Sequence, residues 1–486
     1  MIDTQAIRSK ILDLAMRGQL TEQLPEDGNS EELYQQILEE KQKLIKEGKI
    51  KKQKPLPEIT DEEIPFDIPK NWKWVYLGEL FEHNTGKALK TSDQNGQLLE
   101  YITTSNLYWD HFELKNLKSM YFKESEIDKC TVKKGDLLIC EGGDIGRSAI
   151  WTFDYEIRIQ NHIHKLRKYS ELIYTDFYYY LLWLYKQTDR ISGIGIGLQG
   201  FSSKRVHSLI VPFVPYYEAV RVVLKVKKAF SVLDTIDKLQ AQYADNLTAL
   251  KSKLIDAAIQ GKLTEHLPED GTAEELYQQI QTEKNRLSKI GKTYREKGIK
   301  VISDNDIPYD IPDTWRWVRL GDLTTVITKG SSPSWQGVSY TSKEEGILFV
   351  TSENVGNGKM ILSKKKYIEP KFNDMHPASI LIKGDILTNL VGASIGRTAV
   401  YNEDIDNANI NQAVCIIRLV EREITNYLLL YLGSTTAIDK MLHGSVDFAR
   451  ANLSLTSVSN LMIPLPPLAE QKRIVQKLDE ILPLCE

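Results

Sequence analysis

Two histidines spaced two apart, His162 and His164, and two glycine-rich segments, EGGDIGR at 141–147 and VGASIGR at 391–397, are where this chain could do chemistry. A His-x-His pair on a strand faces one side and supplies half of a metal site. No HExxH segment or nearby cysteine pair completes it, and a second copy of the region carries Gln412 and Ala413 at the matching place. We read the pair as a surface or packing pair. The glycine segments match neither the phosphate-cradling G-x-x-x-x-G-K-[ST] loop nor the dinucleotide G-x-G-x-x-G, and each joins strand to strand rather than strand to helix. Two readings stand: tight turns that need positive φ, or loops whose backbone approaches a nucleic-acid groove with Arg147 and Arg397 beside them. No GxSxG occurs, and the Asn-Pro-Pro-aromatic motif by which amino-methyltransferases hold a target base is missing. Cys130, Cys140, Cys415 and Cys485 are scattered without CxxC spacing, which predicts plain thiols rather than a zinc site or a disulfide framework. No catalytic constellation is present.

The elements that must position these loops are duplicated. Residues 249–284 repeat residues 6–41 without a gap, with 23 of 36 positions identical, at a shift of 243 residues. The same shift carries IPFDIPKNWKWVYLGEL, from Ile64, onto IPYDIPDTWRWVRLGDL, from Ile307. Residues 217–260 contain no Pro or Gly and place apolar side chains three or four apart from Val226 to Ala257. This spacing predicts one long helix burying a single stripe, roughly 65 Å in length at 1.5 Å per residue. A short N-terminal helix follows from Ile7, Ile11 and Leu14 on one face with Gly18 as a stop, and a second from Ser30, as N-cap, to about Lys46. The lysine run from Lys41 to Lys54 reads as a solvated helix face and linker, with phosphate contact as the alternative. Between the helical segments the chain is β-rich. YITTSNL and LFVTSENV each predict a strand and its exit loop, and KKGDLLICEGGDIGRSAIW and IKGDILTNLVGASIGRTAVY each predict two strands about a turn. Helices are expected over 174–186 and 424–432, and LIVPFVP and LMIPLPP close the two copies.

A length of 486 residues implies two to four domains. No apolar run approaches 18 residues and the N-terminus lacks a signal-peptide apolar region, so a cytoplasmic protein without a membrane partner is expected. The net charge of −4 does not announce nucleic acid. Residues 70–215 carry 19 basic and 17 acidic side chains, and residues 313–467 carry 15 of each. A DNA footprint therefore requires charge to be segregated within each module.

The two DIP-x-x-W-x-W-V-x-L-G-[DE]-L segments, the KGD…IGR segments and the C-terminal IPLPPLAEQKRIVQKLDEIL, in this order and duplicated, resemble the specificity subunit of a type I DNA restriction-modification system. The resemblance spans essentially the whole chain, although LIVPFVPYYEAVRVV in the first copy lacks the Pro-Pro and Glu-Gln of LMIPLPPLAEQKRIV. It implies an α+β fold with two β-rich target-recognition domains, 70–215 and 313–467. They would be separated by long antiparallel coiled-coil helices from 1–69, 216–312 and 468–486, in a pseudo-twofold circular arrangement. It further implies a non-catalytic subunit in which each domain reads one half of a bipartite double-stranded DNA target. The helices would dock two methyltransferase (M) subunits, alongside restriction/translocation (R) subunits. No cofactor is expected in this chain; S-adenosylmethionine, ATP and Mg belong to the partners. From residue chemistry, the DNA contacts expected in the first domain are Lys87, Lys90, Asn106, Arg147, Lys204 and Arg205. In the second they are Lys329, Ser331, Trp335, Asn354, Arg397, Arg450 and Asn452. A rival reading of the same elements is a two-module protein-interaction scaffold with a coiled-coil spacer. Finally, residues 468–486 align with the start of the long helix at a shift of 252, and the N-terminal helix aligns with its later part at 243. The two termini are thus expected to complete one helix opposite the long one, with Met1 near Glu486.

Overall fold

A computed structural model describes residues 1–89, 94–191, 200–291, 299–443 and 452–485. The chain forms two compact units, Met1–Ala241 and Gln242–Glu486. Their boundary falls within a 44-residue helix, Tyr216–Ile259, which the absence of Pro and Gly allows to run unbroken. Among the described residues no helix is long and apolar enough to cross a membrane.

In the first unit the N-terminal helix, Thr4–Met16, lies along the early part of the long helix. Its buried face is Arg8, Leu12, Ala15 and Met16, not the Ile7, Ile11 and Leu14 face expected from the sequence; Ile7 is 39% exposed. Ion pairing explains the rotation. The Arg8 guanidinium donates to Asp234 at 2.9 Å and Asp237 at 2.8 Å while lying 5.2 Å from the centre of the Phe230 ring, so a cation occupies a core-facing position. The long helix is buried at Val226, Phe230 and Leu233, but Leu239 is exposed because the N-terminal helix begins beside Asp237. In the second unit the C-terminal helix, Leu468–Ile481, packs Ile474 and Leu478 against Leu254 and Ala258, and Tyr243 and Leu250 are left exposed. The expected stripe is therefore buried at its start, exposed at Leu239, Tyr243 and Leu250, and half-buried at Leu254 and Ala257. Glu486, and with it the expected meeting of the termini, lies outside the described residues.

The same locks hold helix to module in each unit. Arg221 forks onto the buried carboxylate of Asp27, with Nη1 to Oδ1 at 2.6 Å, and Arg473 forks onto Asp270 with the same atoms at 2.7 Å. Fully buried Glu218 accepts from Gln23 and Asn71 at 3.0 and 2.9 Å; its counterpart Glu470 accepts from His266 at 2.7 Å and from the Trp315 indole at 2.9 Å. The N-terminal helix ends at Arg17, and Gly18 beyond it has φ +66°; a Cβ there would meet Pro69 at 2.3 Å. Gly261 after the long helix, at φ +71°, would meet Pro312 at 2.4 Å. The DIP segments thus recur because their second proline packs onto a left-handed glycine that only a residue without a Cβ satisfies. Helix Ser30–Lys46 is capped by Asn29 rather than Ser30, and the side chain of Lys41 donates to Gly78 O at 3.0 Å. Lys284 makes the matching bond to Gly321 O, so the first lysine of the run is structural.

Each module is two small sheets and a ribbon. In the first, β1 (Lys73–Tyr76) pairs with β10 (Ile210–Phe213) as the closing ribbon. One four-stranded sheet has the order β2 (Phe81–Thr85), β9 (Ile163–Lys168), β6 (Leu137–Cys140), β7 (Ser148–Ile150). The other has β4 (Lys118–Phe122), β3 (Gln97–Ile102), β8 (Ile157–Ile159), β5 (Thr131–Val132). The second module repeats this with the ribbon β11 (Arg316–Arg319) and β19 (Met462–Leu465). Its sheets are β12 (Thr324–Lys329), β18 (Val414–Leu419), β15 (Asp385–Asn389), β16 (Thr398–Tyr401), and a three-stranded β14 (Lys366–Ile368), β13 (Ile347–Val350), β17 (Asn409–Ile410). The KGD aspartates are the shared staple: Asp136 and Asp385 are buried and receive bidentate Arg167 and Arg418 at 2.6 to 2.8 Å. Helices Thr175–Gln187 and Thr425–Leu432 lie where the sequence places them. All four cysteines are free and buried, as expected for plain thiols.

One core position differs sharply. His83 and His164 are hydrogen-bonded at 2.9 Å, whereas the second module has Ile327 and Cys415 at the corresponding sites of β12 and β18. Burial, then the charge of the neighbouring His164, pushes His83 down to about 3, and burial lowers His164 as well. Unfolded histidine takes up its proton near 6.5. The unfolded chain therefore binds more protons than the folded one below that pH, and stability falls as the pH drops from about 6.5 towards 3.

Two outcomes follow. Gly18→Ala should cost about 2–4 kcal/mol in urea unfolding, combining positive-φ strain with overpacking against Pro69. Gly48→Ala, at φ +70° but with nothing within 4 Å, should cost only about 1 kcal/mol. In a thermal melt series from pH 7 to 4, exchanging the histidine pair for that of the second module (His83→Ile with His164→Cys) should flatten the acid loss of the first unit's stability; unchanged acid sensitivity would contradict the histidine account.

Candidate nucleic-acid interface

Strand register brings the candidate loops together. Across the main sheet of the first module, Thr85, His164, Ile139 and Ser148 stand in one row, so the loop after β2 and the glycine turn before β7 share one end. Across the second, Lys329, Cys415, Thr388 and Thr398 form the equivalent row. The glycine segments are hairpin turns: Gly143 and Gly146 have φ +72° and +84°, and Gly392 and Gly396 have +68° and +82°. The exit loop of β3 joins this end, because Arg147 Nη2 donates to Thr104 O at 2.6 Å. The exit loop of β13 does likewise, with Asn389 Nδ2 donating to Ser352 O at 2.9 Å and Gly358 N to Thr398 O at 2.8 Å. The segments before the closing ribbons complete the cluster. Phe201 N donates to Glu141 O, and His164 holds Phe201 O; Leu453 N donates to Leu390 O.

Several expected DNA contacts are committed elsewhere. Asn106 accepts from Thr103 N and donates to Glu113 O, both at 2.9 Å; Asn354, fully enclosed, accepts from Thr351 N and donates to Ile361 O and Lys364 O. Both amides shape their own loops: Asn354 spends both of its donors there, and Asn106 spends its acceptor and one of its two donors. Lys87 is buried against Glu126 at 2.8 Å and Tyr121 O, a bond that also holds the Glu126 carboxyl below its usual range. Arg205 lies over the Phe201 ring in a groove shared with Glu63 and Pro65. Asn106, Asn354 and Lys87 are engaged by the fold, and Arg205 is half-buried beside that groove.

Others remain at the loop end. Arg147 is half-buried, 4.9 Å from the centre of the Tyr108 ring, which in turn stacks on His111 at 5.1 Å. Lys204, Lys329, Arg397 and Asn452 are exposed, Ser331 is half-buried, and Trp335 stands on a short turn at 80% exposure. Lys90 and Arg450 lie outside the described residues. The Tyr108–His111 stack escaped sequence reading because neither residue sits in a motif; its signal was an aromatic pair in a loop that the second copy fills with Gly356 and Lys359.

Three flank cations are paired, in Lys134–Asp154, Lys168–Glu171 and Lys383–Asp404, and Arg147 at the loop end lies 4.0 Å from Asp144. At the loop ends, Lys204, Lys329 and Arg397 make no ion pair among the described residues. Among the described residues no group of three or more His, Cys, Asp or Glu is placed to hold a metal ion. His162 faces Glu141 at 3.6 Å and His164 points into the core.

Comparison with known proteins agrees with this architecture. The chain is 25% identical to the type I restriction enzyme EcoAI specificity subunit of Escherichia coli over 99% of its length and 89% of that protein. To the EcoEI specificity subunit of the same organism it is 24% identical with the same coverage. A chain from a solved structure of the type I R-M system, described in terms of complex assembly and conformational transition, shares the fold. Its TM-score is 0.56 at 20% identity, covering 87% of this chain and 92% of that one. The model of the type I restriction modification DNA specificity domain matches twice, over residues 69–251 and 312–483. The chain belongs to the type I restriction-modification DNA specificity family, the non-catalytic, sequence-recognising component of these systems.

Proposed function

We propose that the two modules, residues 70–215 and 313–467, each read one half of a bipartite double-stranded DNA target, and that the helical segments dock two methyltransferase subunits. Restriction subunits would join that assembly, with S-adenosylmethionine, ATP and Mg bound by the partners. The observation that carries this reading is a contrast between framework and loops. The Arg–Asp locks, the buried glutamates, the KGD staples and the left-handed glycines recur in both units at matching positions. The loop ends, held by equivalent backbone bonds and sharing one arginine, Arg147 or Arg397, otherwise present different chemistry: Tyr108 and His111 in one, Lys329 and Trp335 in the other. A shared frame carrying different edges is what two half-site readers require, since groove contacts specify sequence and phosphate contacts only position.

The test is exchange. Replacing residues 70–215 with those of another family member, co-expressing the chimera with its methyltransferase subunits and mapping methylated adenines genome-wide should change one half of the motif only. A change in both halves would mean that the modules read DNA jointly, and the absence of any split motif would favour the scaffold. Within the second module, Arg397→Ala and Lys329→Ala should each weaken DNA binding. If the lost contact is to phosphate, each should lower the slope of log K against log salt by about 0.9. A lost base contact should instead cost about 1–3 kcal/mol at one position of the target.

A further inference from the structure

The two modules can be superposed in sequence through their contacts. The β3 and β13 exit loops match at a shift of 248, with Asn106 and Asn354 making the same turn and Asp110 and Gly358 both at positive φ. The helices match at 250, with Phe177 edge-on to Trp72 as Tyr427 is to Trp315. The C-terminal helix matches the start of the long helix at 252, as Arg473 matches Arg221. Three aromatic rings that fill one place in the first unit then have small counterparts. Trp109 stacks on Trp183 at 5.5 Å, and Trp183 meets Phe230 edge-on at 5.5 Å. Their counterparts are Asn357, Gly433 and Leu482.

Where the rings are missing, the second unit has an open cavity of about 440 Å³. Its walls are Ile255, Leu429, Leu430, Ile438 and Val475, with Asn357 and Gly433 on its lining. The charge at its rim is also inverted. Lys227 pairs with Asp176 at 2.6 Å in the first unit; the matching residues are Asp479 and Asn426, and the exposed Asp479 carboxylate has no ion pair among the described residues. The cavity continues along the C-terminal helix into a groove that shares Asn426, Val475 and Asp479 with it and adds Gln471, Gln476, Glu480 and the ion pair of Lys472 with Glu423, which leaves Asp479 as the carboxylate common to both that has no ion pair among the described residues.

We propose that this cavity is a socket for an aromatic side chain of a partner polypeptide, with a basic residue beside that ring bound by Asp479. The first unit shows the fitting occupant, because there the chain supplies its own indole from a loop. Desolvating a ring against aliphatic walls is the main source of affinity, and the carboxylate selects the sign of the neighbouring charge. The elongated groove leading from the socket, with Asp479 at the junction, suits a peptide rather than a free small molecule. Among the described residues, the equivalent place in the first unit is plugged by its own rings. This proposal concerns a protein partner and is independent of how DNA is read.

Ligand-observed saturation-transfer NMR on the full chain tests it, with acetyl-Trp-Lys-amide, acetyl-Trp-Glu-amide and acetyl-Leu-Lys-amide as probes. Expected are indole signals from the Trp-Lys probe at least fivefold above those from Trp-Glu, and none from Leu-Lys. Gly433→Trp, which restores the helix-borne indole of the first unit and fills the cavity from its own wall, should abolish the signal and leave the melting temperature equal or higher. Asp479→Lys should reverse the preference between the two Trp probes, a readout that stands even if Gly433→Trp folds poorly. Equal signals from both Trp probes with the unaltered chain, or no signal at all, would overturn the proposal.

Discussion

The buried ion pair between the helix and the turn preceding each module is the constraint on which the rest of the structure depends. The side chains of Asp27 and Asp270 are only 2% and 5% exposed, and their guanidinium partners hold both carboxyls below the usual range through side-chain hydrogen bonds. A buried carboxylate without its fork-shaped partner is costly, so the helix can seat in one register only. That register puts Glu218 and Glu470 in the first turn of their helices, where the helix dipole favours negative charge and where side chains from the flanking turns satisfy them. From this seat the ribbon, the KGD sheet and the loop end of each module follow in turn.

Much of this was legible in the sequence because it is duplicated. A 243-residue shift that preserves Gly18 and Gly261, Pro69 and Pro312, and Asp27 and Asp270 marks positions that a backbone geometry or a buried charge demands. The long helix, the hairpin nature of the glycine segments and the helices over 175–187 and 425–432 followed from periodicity and breakers. What failed was the buried face of the N-terminal helix. Periodicity scores an arginine as solvent-facing, and only the carboxylates of Asp234 and Asp237, more than 220 residues away in sequence, reveal that Arg8 faces inward.

Recognition residues were the least legible, for a physical reason. A loop asparagine chosen for its affinity for adenine is equally suited to closing a turn on its own backbone, and Asn106 and Asn354 do the latter. Lys87 looked like a phosphate ligand, but the ion pair with Glu126 is formed across two strands and a helix that the sequence does not align. The aromatic filling of the first unit and its absence in the second were invisible as well, because the matching shifts differ by element: 248 for the loop, 250 for the helix, 252 for the C-terminal segment.

The central claim is that sequence is read at the loop ends of both modules, on a frame that itself makes no base contact. Hydrogen–deuterium exchange of the chain assembled with its methyltransferase subunits, compared with and without target DNA, addresses this directly. The account predicts DNA-dependent protection at residues 103–113 and 141–147 of the first module and at 329–336 and 391–397 of the second, each lost when only the matching half of the target is scrambled. Protection confined to one module, or to the helical segments alone, would contradict it.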